Sequence, residues 1–147
     1  MKYSTTVKID LPRESVVELF DNQENYHKWQ ESLMSLELLE GEPGQVGTRT
    51  RLVHKMGPRK IDMIETITKR EFPDLFVATY EADNGRNEAI NRFSILDVNR
   101  TQWTIETEFQ FTGAMKAIAS LKPGIFEKET QKVMESFKAF VEKNKEP

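Results

Sequence analysis

The stretch Glu24-Asn-Tyr-His-Lys-Trp-Gln-Glu31 sets Glu24, His27 and Glu31 at spacings of three and four. On an α-helix such residues share one face, and Glu-x-x-His is half of the ligand set that helical bundles use for a pair of metal ions. That chemistry needs a second Glu-x-x-His helix facing the first. The chain's other histidine, His54, falls in a strand-like segment, and the long C-terminal helix has none. The ligand set is incomplete, so no metal or other cofactor is expected, and Glu24, His27 and Glu31 read as the solvent side of a helix that buries Tyr26 and Trp29. The remaining residues with chemical reach are His54, Glu65, Tyr80, Asn91 and Thr107, polar groups set in apolar strands. Glu65 or His54 could act as a general base with Tyr80 as a proton donor. The five could equally orient the polar end of a bound molecule, or satisfy one another and ordered water, the commoner state of buried polar groups. Their spacing does not select catalysis.

Composition narrows the partners. The chain has 147 residues, 21 basic against 24 acidic, and a net charge of -3. The charges are interspersed, which gives no general attraction to a phosphate backbone and disfavours nucleic acid. Cysteine is absent, which removes disulfides, thiolate ligands and thiol nucleophiles and fits a cytoplasmic protein. The start MKYSTTVKID carries no apolar core of a signal peptide, and no segment approaches the roughly 20 apolar residues of a membrane span. The loop GEPGQVG (41–47) lacks the Lys-Ser/Thr of a P-loop and leads into a strand. No serine sits in a nucleophile elbow. A single domain over residues 1–147 is expected, long enough to bury roughly two-thirds of its unfolded surface.

The elements that must hold these residues can be read from periodicity. Residues 3–9 alternate, with Tyr3, Thr5, Val7 and Ile9 on one side, as a half-buried strand does. Pro12 suits the first turn of a helix whose apolar face is Val16, Val17 and Phe20. A second short helix is expected over 25–32, with Tyr26, Trp29 and Leu33 as its apolar residues. From Met34 to Thr112 six strands alternate with the turns at 41–47, 56–59, 72–74, 83–86 and 98–100, and such short connections join antiparallel neighbours. Asn84-Gly85 predicts a type I′ hairpin. A helix over 113–121 should break at Pro123-Gly124. Beyond it Phe126, Thr130, Val133, Phe137 and Phe140/Val141 recur at helical spacing, with Lys138 and Glu142 paired on the other side.

This order, with Ile9-Asp10-Leu11-Pro12, Phe20-Asp21, Trp29, Gly44, Gly47-Thr48 and Glu65-Thr66-Ile67 at their places along it, resembles the START-like (SRPBCC) superfamily of polyketide cyclases/dehydrases and lipid-transport proteins, which includes the Bet v 1-like plant proteins. The resemblance covers residues 3–143. Relatives often carry a Pro just after the Trp. Here Gln30-Glu31 stands there, and the helix is expected to run a turn longer. The resemblance implies an α+β helix-grip fold: a curved seven-stranded antiparallel sheet wrapped around the long C-terminal helix, with two short helices between strands 1 and 2 and a cavity between sheet and helix. Such a cavity often holds a small hydrophobic or lipid-like ligand, although the superfamily includes carriers, enzymes and protein-interaction modules.

On a curved sheet one residue in two faces inward. The inward sets are Leu52, His54 and Met56; Ile61, Met63, Glu65 and Ile67; Phe76, Ala78, Tyr80 and Ala82; Ala89, Asn91, Phe93 and Ile95; and Trp103, Ile105, Thr107, Phe109 and Phe111. The expected ligand-binding residues are thus Tyr26, Trp29, His54, Met56, Met63, Glu65, Tyr80, Asn91, Phe93, Trp103, Thr107 and Phe109, joined by Met115 on the 113–121 segment and Phe126, Thr130 and Val133 on the long helix. Tyr26 and Trp29 would close one end, and 113–123 would form a lid hinged at Pro123. Arg49, Arg51 and Lys55, with Arg59, Lys60, Lys69 and Arg70 near them, read as a solvated outer face. No catalytic residue is assigned. A cyclase- or dehydratase-type enzyme and a protein-interaction module stand as alternatives, and a monomer or weak dimer is expected.

Overall fold

A computed structural model describes residues 1–143; the last four residues of the unit expected over 1–147 lie outside the described residues. Strand β1 (Lys2–Ile9) leads through helix α1 (Arg13–Asp21), one 3₁₀ turn (Gln23–Asn25) and the single-turn helix α2 (Tyr26–Trp29) into six further strands. These are β2 (Leu33–Glu40), β3 (Arg49–Met56), β4 (Arg59–Glu71), β5 (Leu75–Ala82), β6 (Gly85–Asp97) and β7 (Arg100–Phe111). Helices α3 (Gly113–Leu121) and α4 (Gly124–Lys143) follow. The strands form one antiparallel sheet in the order β1-β7-β6-β5-β4-β3-β2. Neighbours are consecutive except at β1–β7, where Val7 pairs with Trp103 and the first strand is joined to the last. The sheet curves around α4, which packs on β1 and α2, while α3 packs on β7. This is the helix-grip arrangement.

Period decides the faces. Along β7, Thr101, Trp103 and Thr107 are buried while Glu106, Glu108 and Gln110 are exposed. Along α4, Met134, Phe137 and Val141 are sealed at three- and four-residue spacing. Lys138 Nζ meets Glu142 Oε2 at 2.6 Å on the flank. The core gathers at one end of the sheet. The Phe137 ring centroid lies 4.9 Å from Trp29 and 5.0 Å from Trp103, and Phe20 lies 5.1 Å from Phe93. Each large buried aromatic side chain contributes about 1.5–3 kcal/mol by leaving water.

Several sequence expectations are corrected. Helix α2 stops at Trp29 rather than continuing to residue 32, because Gln30 adopts φ -107°, ψ 83°. Leu33 therefore opens β2, no extra turn replaces the missing proline, and Glu24, His27 and Glu31 share no helical face. Pro12 sits just before the first turn of α1, φ -61° and ψ 148°, its carbonyl accepting from Val16 N–H at 3.1 Å. The β5–β6 turn is centred on Asp83-Asn84, and no non-glycine residue among those described has positive φ, so it is not type I′. Gly85 belongs to the strand, where an added Cβ would lie 2.9 Å from the Gln110 carbonyl oxygen and 3.0 Å from the Phe111 ring. Its glycine serves close approach to β7 rather than a turn. Ile95 has inward parity but is 61 % exposed. A bulge at Thr68 shifts the β4–β5 register between Ile67 and Lys69. The bulge swings Arg70 onto the inner face beside Phe76. There its guanidinium donates to both Asp21 carboxylate oxygens, at 2.7 and 2.6 Å, and to the Gly44 carbonyl at 2.9 Å, tying α1 and the β2–β3 loop to β4.

Candidate functional site

One transverse row of the concave face holds the chemistry. Thr50 on β3 lies directly opposite Glu65 on β4, Glu65 opposite Tyr80 on β5, and Tyr80 opposite Asn87 on β6. Directly paired residues project to the same side with Cβ atoms about 5 Å apart, so register alone assembles the row. The Glu65 carboxyl is 4 % exposed, and Tyr80 Oη donates to its Oε2 at 2.8 Å. Among the described residues it has no cationic partner. Burial accordingly raises its pKa, with the Tyr80 hydrogen bond pulling the other way. Burial and the neighbouring carboxyl push the Tyr80 hydroxyl well above its ordinary range. Tyr26 is likewise raised, first by burial and then by the charges of Glu65 and Asp21, which places its hydroxyl within electrostatic reach of the row. The Thr50 hydroxyl, 1 % exposed, has no hydrogen-bond partner, and the indole N–H of Trp29 has none either. A buried polar atom without a partner costs about 1–3 kcal/mol, so each is a donor with unused capacity.

Glu65 is thus a carboxyl whose charged form burial disfavours, beside a tyrosine hydroxyl and opposite an unused threonine hydroxyl. Such a row can donate hydrogen bonds to an uncharged acceptor. It offers no counter-ion to an anionic headgroup, since Arg70, the cation on this face, is committed to Asp21.

The other expected site residues fall in four places. His54 and Met63 line the half-buried part of the face next to the row. His54 Nδ1 is 2.8 Å from Ser32 Oγ, and burial lowers its pKa. Met115, Phe109, Phe126 and Val133 are half-buried across from them, with Phe126 5.3 Å from Phe109. Trp29, Phe93 and Trp103 instead fill the closed aromatic core, and Asn91 is sealed with them. The Asn91 amide oxygen accepts from Trp103 Nε1 at 3.0 Å and its amide nitrogen donates to the Phe76 carbonyl at 3.2 Å, so both ends of the amide are engaged within the protein. Thr130 belongs to a latch: Tyr3 Oη is 2.7 Å from Thr130 Oγ1 and donates to the Phe126 carbonyl at 3.2 Å, holding α4 to β1, and buried Thr107 stands opposite Tyr3 in the β1–β7 register. Met56 lies at the β3–β4 hairpin, 40 % exposed and beyond the row. Trp29, 5 % exposed, stands in the aromatic core. Thr50 was the residue that sequence reasoning passed over, although it shares parity with Leu52 and His54.

Two open surface depressions lie away from this row. One, about 430 Å³, sits on the outer face around Ser4, Glu88, Ile90 and Glu106. The other, about 440 Å³, lies by Arg13, Asp74 and Arg92. Neither touches Glu65, and both are too open to hold a ligand on most sides, so the buried row is the better candidate.

An antiparallel seven-stranded sheet gripping a long helix, with a polar row on its concave face, defines a helix-grip protein. The chain belongs to the family described as polyketide cyclase/dehydrase and lipid transport, which matches residues 1–144. No curated protein matches the chain by sequence. Among solved structures it is similar to the Zhui aromatase/cyclase from Streptomyces sp. R1128, with TM-score 0.82 and 15 % identity over 97 % of this chain and 93 % of that one. It is also similar to a START superfamily protein from Mycobacterium smegmatis, with TM-score 0.79 and 13 % identity over 98 % and 99 % of the two chains. A third similar structure is norcoclaurine synthase from Thalictrum flavum in complex with dopamine and hydroxybenzaldehyde, with TM-score 0.75 and 12 % identity over 100 % and 89 %. These identities establish a common fold.

Proposed function

We propose that the concave face binds a small, largely apolar molecule and orients its polar group on the Thr50–Glu65–Tyr80 row. The observation that carries this reading is the buried Glu65 carboxyl, held by Tyr80 and lying opposite a Thr50 hydroxyl with no partner. Half-buried Met63, Phe109, Met115, Phe126 and Val133 supply an apolar wall with the adaptable packing of methionine. A few polar groups in an apolar lining is the usual composition of a small-molecule site. The family description, which joins lipid transport to cyclisation, supports apolar cargo. The test is titration with N-phenyl-1-naphthylamine, a neutral apolar fluorophore, in wild type and in Met63→Trp, which enlarges the side chain two residues from Glu65 on the same strand face. Saturable binding in wild type that weakens at least roughly tenfold in the variant, or about 1.4 kcal/mol, is the expected result. Absence of saturable binding, or equal binding by both proteins, overturns the proposal.

A second reading, a cyclase- or dehydratase-type enzyme, is favoured by the same carboxyl. An acid whose pKa burial raises, beside a tyrosine hydroxyl, can give its proton to a carbonyl or hydroxyl oxygen of a bound substrate. On that reading Glu65→Gln keeps fluorophore binding but abolishes turnover of a poly-β-keto substrate. Unchanged turnover would remove Glu65 from the chemistry.

A further inference from the structure

Strand register places several connections at one end of the sheet. Ala82 pairs with Gly85 and Gly85 with Phe111, so the β5–β6 turn and the β7–α3 junction lie level. The pairing of β4 with β5 begins at Ile64, while β4 itself begins at Arg59. The β3–β4 hairpin therefore overhangs this same end by roughly 16 Å, at about 3.3 Å per residue. Helix α4 starts here too, since Phe126 lies 4.9 Å from Phe111, and so the α3–α4 joint at Leu121–Gly124 belongs to the same end.

This end carries exposed apolar side chains on several separate tips. Leu121 is 82 % exposed, Ile125 44 %, Met56 40 % and Ile118 37 %. Helix α3 buries Ala119 alone. Beside these side chains stand Lys55, Arg59, Lys60, Lys116 and Lys122, all exposed and, among the described residues, without an ion-pair partner. The acids at this end are Asp83 in the β5–β6 turn, Glu127 in the first turn of α4 and Glu31 beside Ser32, whose carbonyl accepts from Lys55 N–H, together with Glu81 and Asp62, which pair with Arg86 and Arg51. Residues 112–126 contain two lysines and no acid. Away from this end Arg49 pairs with Glu40 and Lys69 with Glu71, while Lys8, Lys28, Lys128 and Lys132 are single exposed cations with no ion pair among the described residues. On a chain of net charge -3 the positive excess at this end is local.

We infer that this end docks on an anionic lipid surface, with Leu121, Ile125 and Met56 entering the interface and the five cations meeting headgroup phosphates. The apolar side chains stand on separate tips with cations beside them. A bilayer interface accepts such tips one by one while lysines reach out to the headgroups, whereas a protein partner calls for a contiguous apolar centre inside a polar rim. Charge complementarity selects an anionic membrane over a neutral one. Docked in this way, the overhanging hairpin and the α3–α4 joint both face the lipid, and the half-buried Ile61 and Met63 behind them lie closest to it. The docking stands apart from what the Glu65 row binds.

The experiment is vesicle flotation with phosphatidylcholine alone and with about 30 % phosphatidylserine added. Wild type should float with the anionic vesicles, less so at high salt, and remain behind with neutral ones. Lys116→Glu with Lys122→Glu should weaken partitioning by roughly tenfold or more, given about fivefold for each basic residue near the surface. Leu121→Trp adds an exposed reporter to a chain whose two tryptophans, Trp29 and Trp103, are buried. Its emission should shift to the blue on anionic vesicles only. No flotation of wild type, flotation unchanged by the lysine reversals, or emission from the introduced indole that stays red in the presence of bound vesicles overturns the inference. Binding to heparin without binding to vesicles overturns it as well and points to an acidic macromolecule.

Discussion

Replacing Glu65 by Gln tests whether the row is protonated. The amide keeps the size of the side chain and offers Tyr80 a carbonyl acceptor in place of Oε2, so the 2.8 Å hydrogen bond has a counterpart in the variant. What changes is titration. Burial raises the folded pKa of Glu65 above its ordinary value of 4.5. A raised acid binds its proton more tightly in the folded chain, so its contribution to stability is full below about pH 4.5 and is lost as pH rises through the folded value. Within that window wild type loses up to about 1.36 kcal/mol per pH unit relative to the variant. For a chain of 147 residues, about 2–4 °C per kcal/mol converts this to a gap in Tm that widens by roughly 3–5 °C per pH unit. Glu65→Gln should therefore match wild type near pH 4 and melt progressively higher as pH rises. Thermal or urea melts of both proteins at half-unit steps from pH 4 to 8 measure the gap, and titrations common to both chains cancel. A gap that stays constant with pH would show an unshifted carboxyl, one in which wild type gains on the variant would show a carboxylate stabilised by a partner, and either would refute a raised pKa at Glu65.

His54 should act with the opposite sign. Burial lowers its pKa below the ordinary 6.5, so its contribution is present above pH 6.5 and is lost as pH falls through the folded value; His54→Gln should flatten the acid side of the stability profile, as followed by urea midpoints between pH 5 and 7. Phe137→Ala removes the ring that touches both Trp29 and Trp103 and should cost about 3–5 kcal/mol. A loss below about 1 kcal/mol in chemical denaturation would mean that the aromatic end is loosely packed.

Much of the fold is legible in the order of residues because the signals are local. The two-residue period of β7 and the three-four period of α4 each depend on which face of one element meets water, and both faces came out as the alternation predicts. Pro123 ends α3 for an equally local reason, its ring and missing N–H. The candidate row was half legible. Glu65 and Tyr80 stand out as polar residues on an apolar side, but their contact depends on a register that no single strand carries.

What the sequence by itself determined is the set of elements, their antiparallel succession and the inward parity of most strands, since these follow from backbone geometry and side-chain hydrophobicity over a few residues. Tertiary structure decided which inward residues are spent on one another. Asn91 and Trp103 satisfy each other across β6 and β7, and Trp29 is drawn into the core by Phe20 and Phe137. Thr50 is left with an unused hydroxyl opposite Glu65, and the bulge at Thr68 reverses parity to deliver Arg70 to Asp21. The physical reason is the same in each case: a hydrogen bond or a packed ring joins residues distant along the chain, and the partner's position is set by strand register and helix docking.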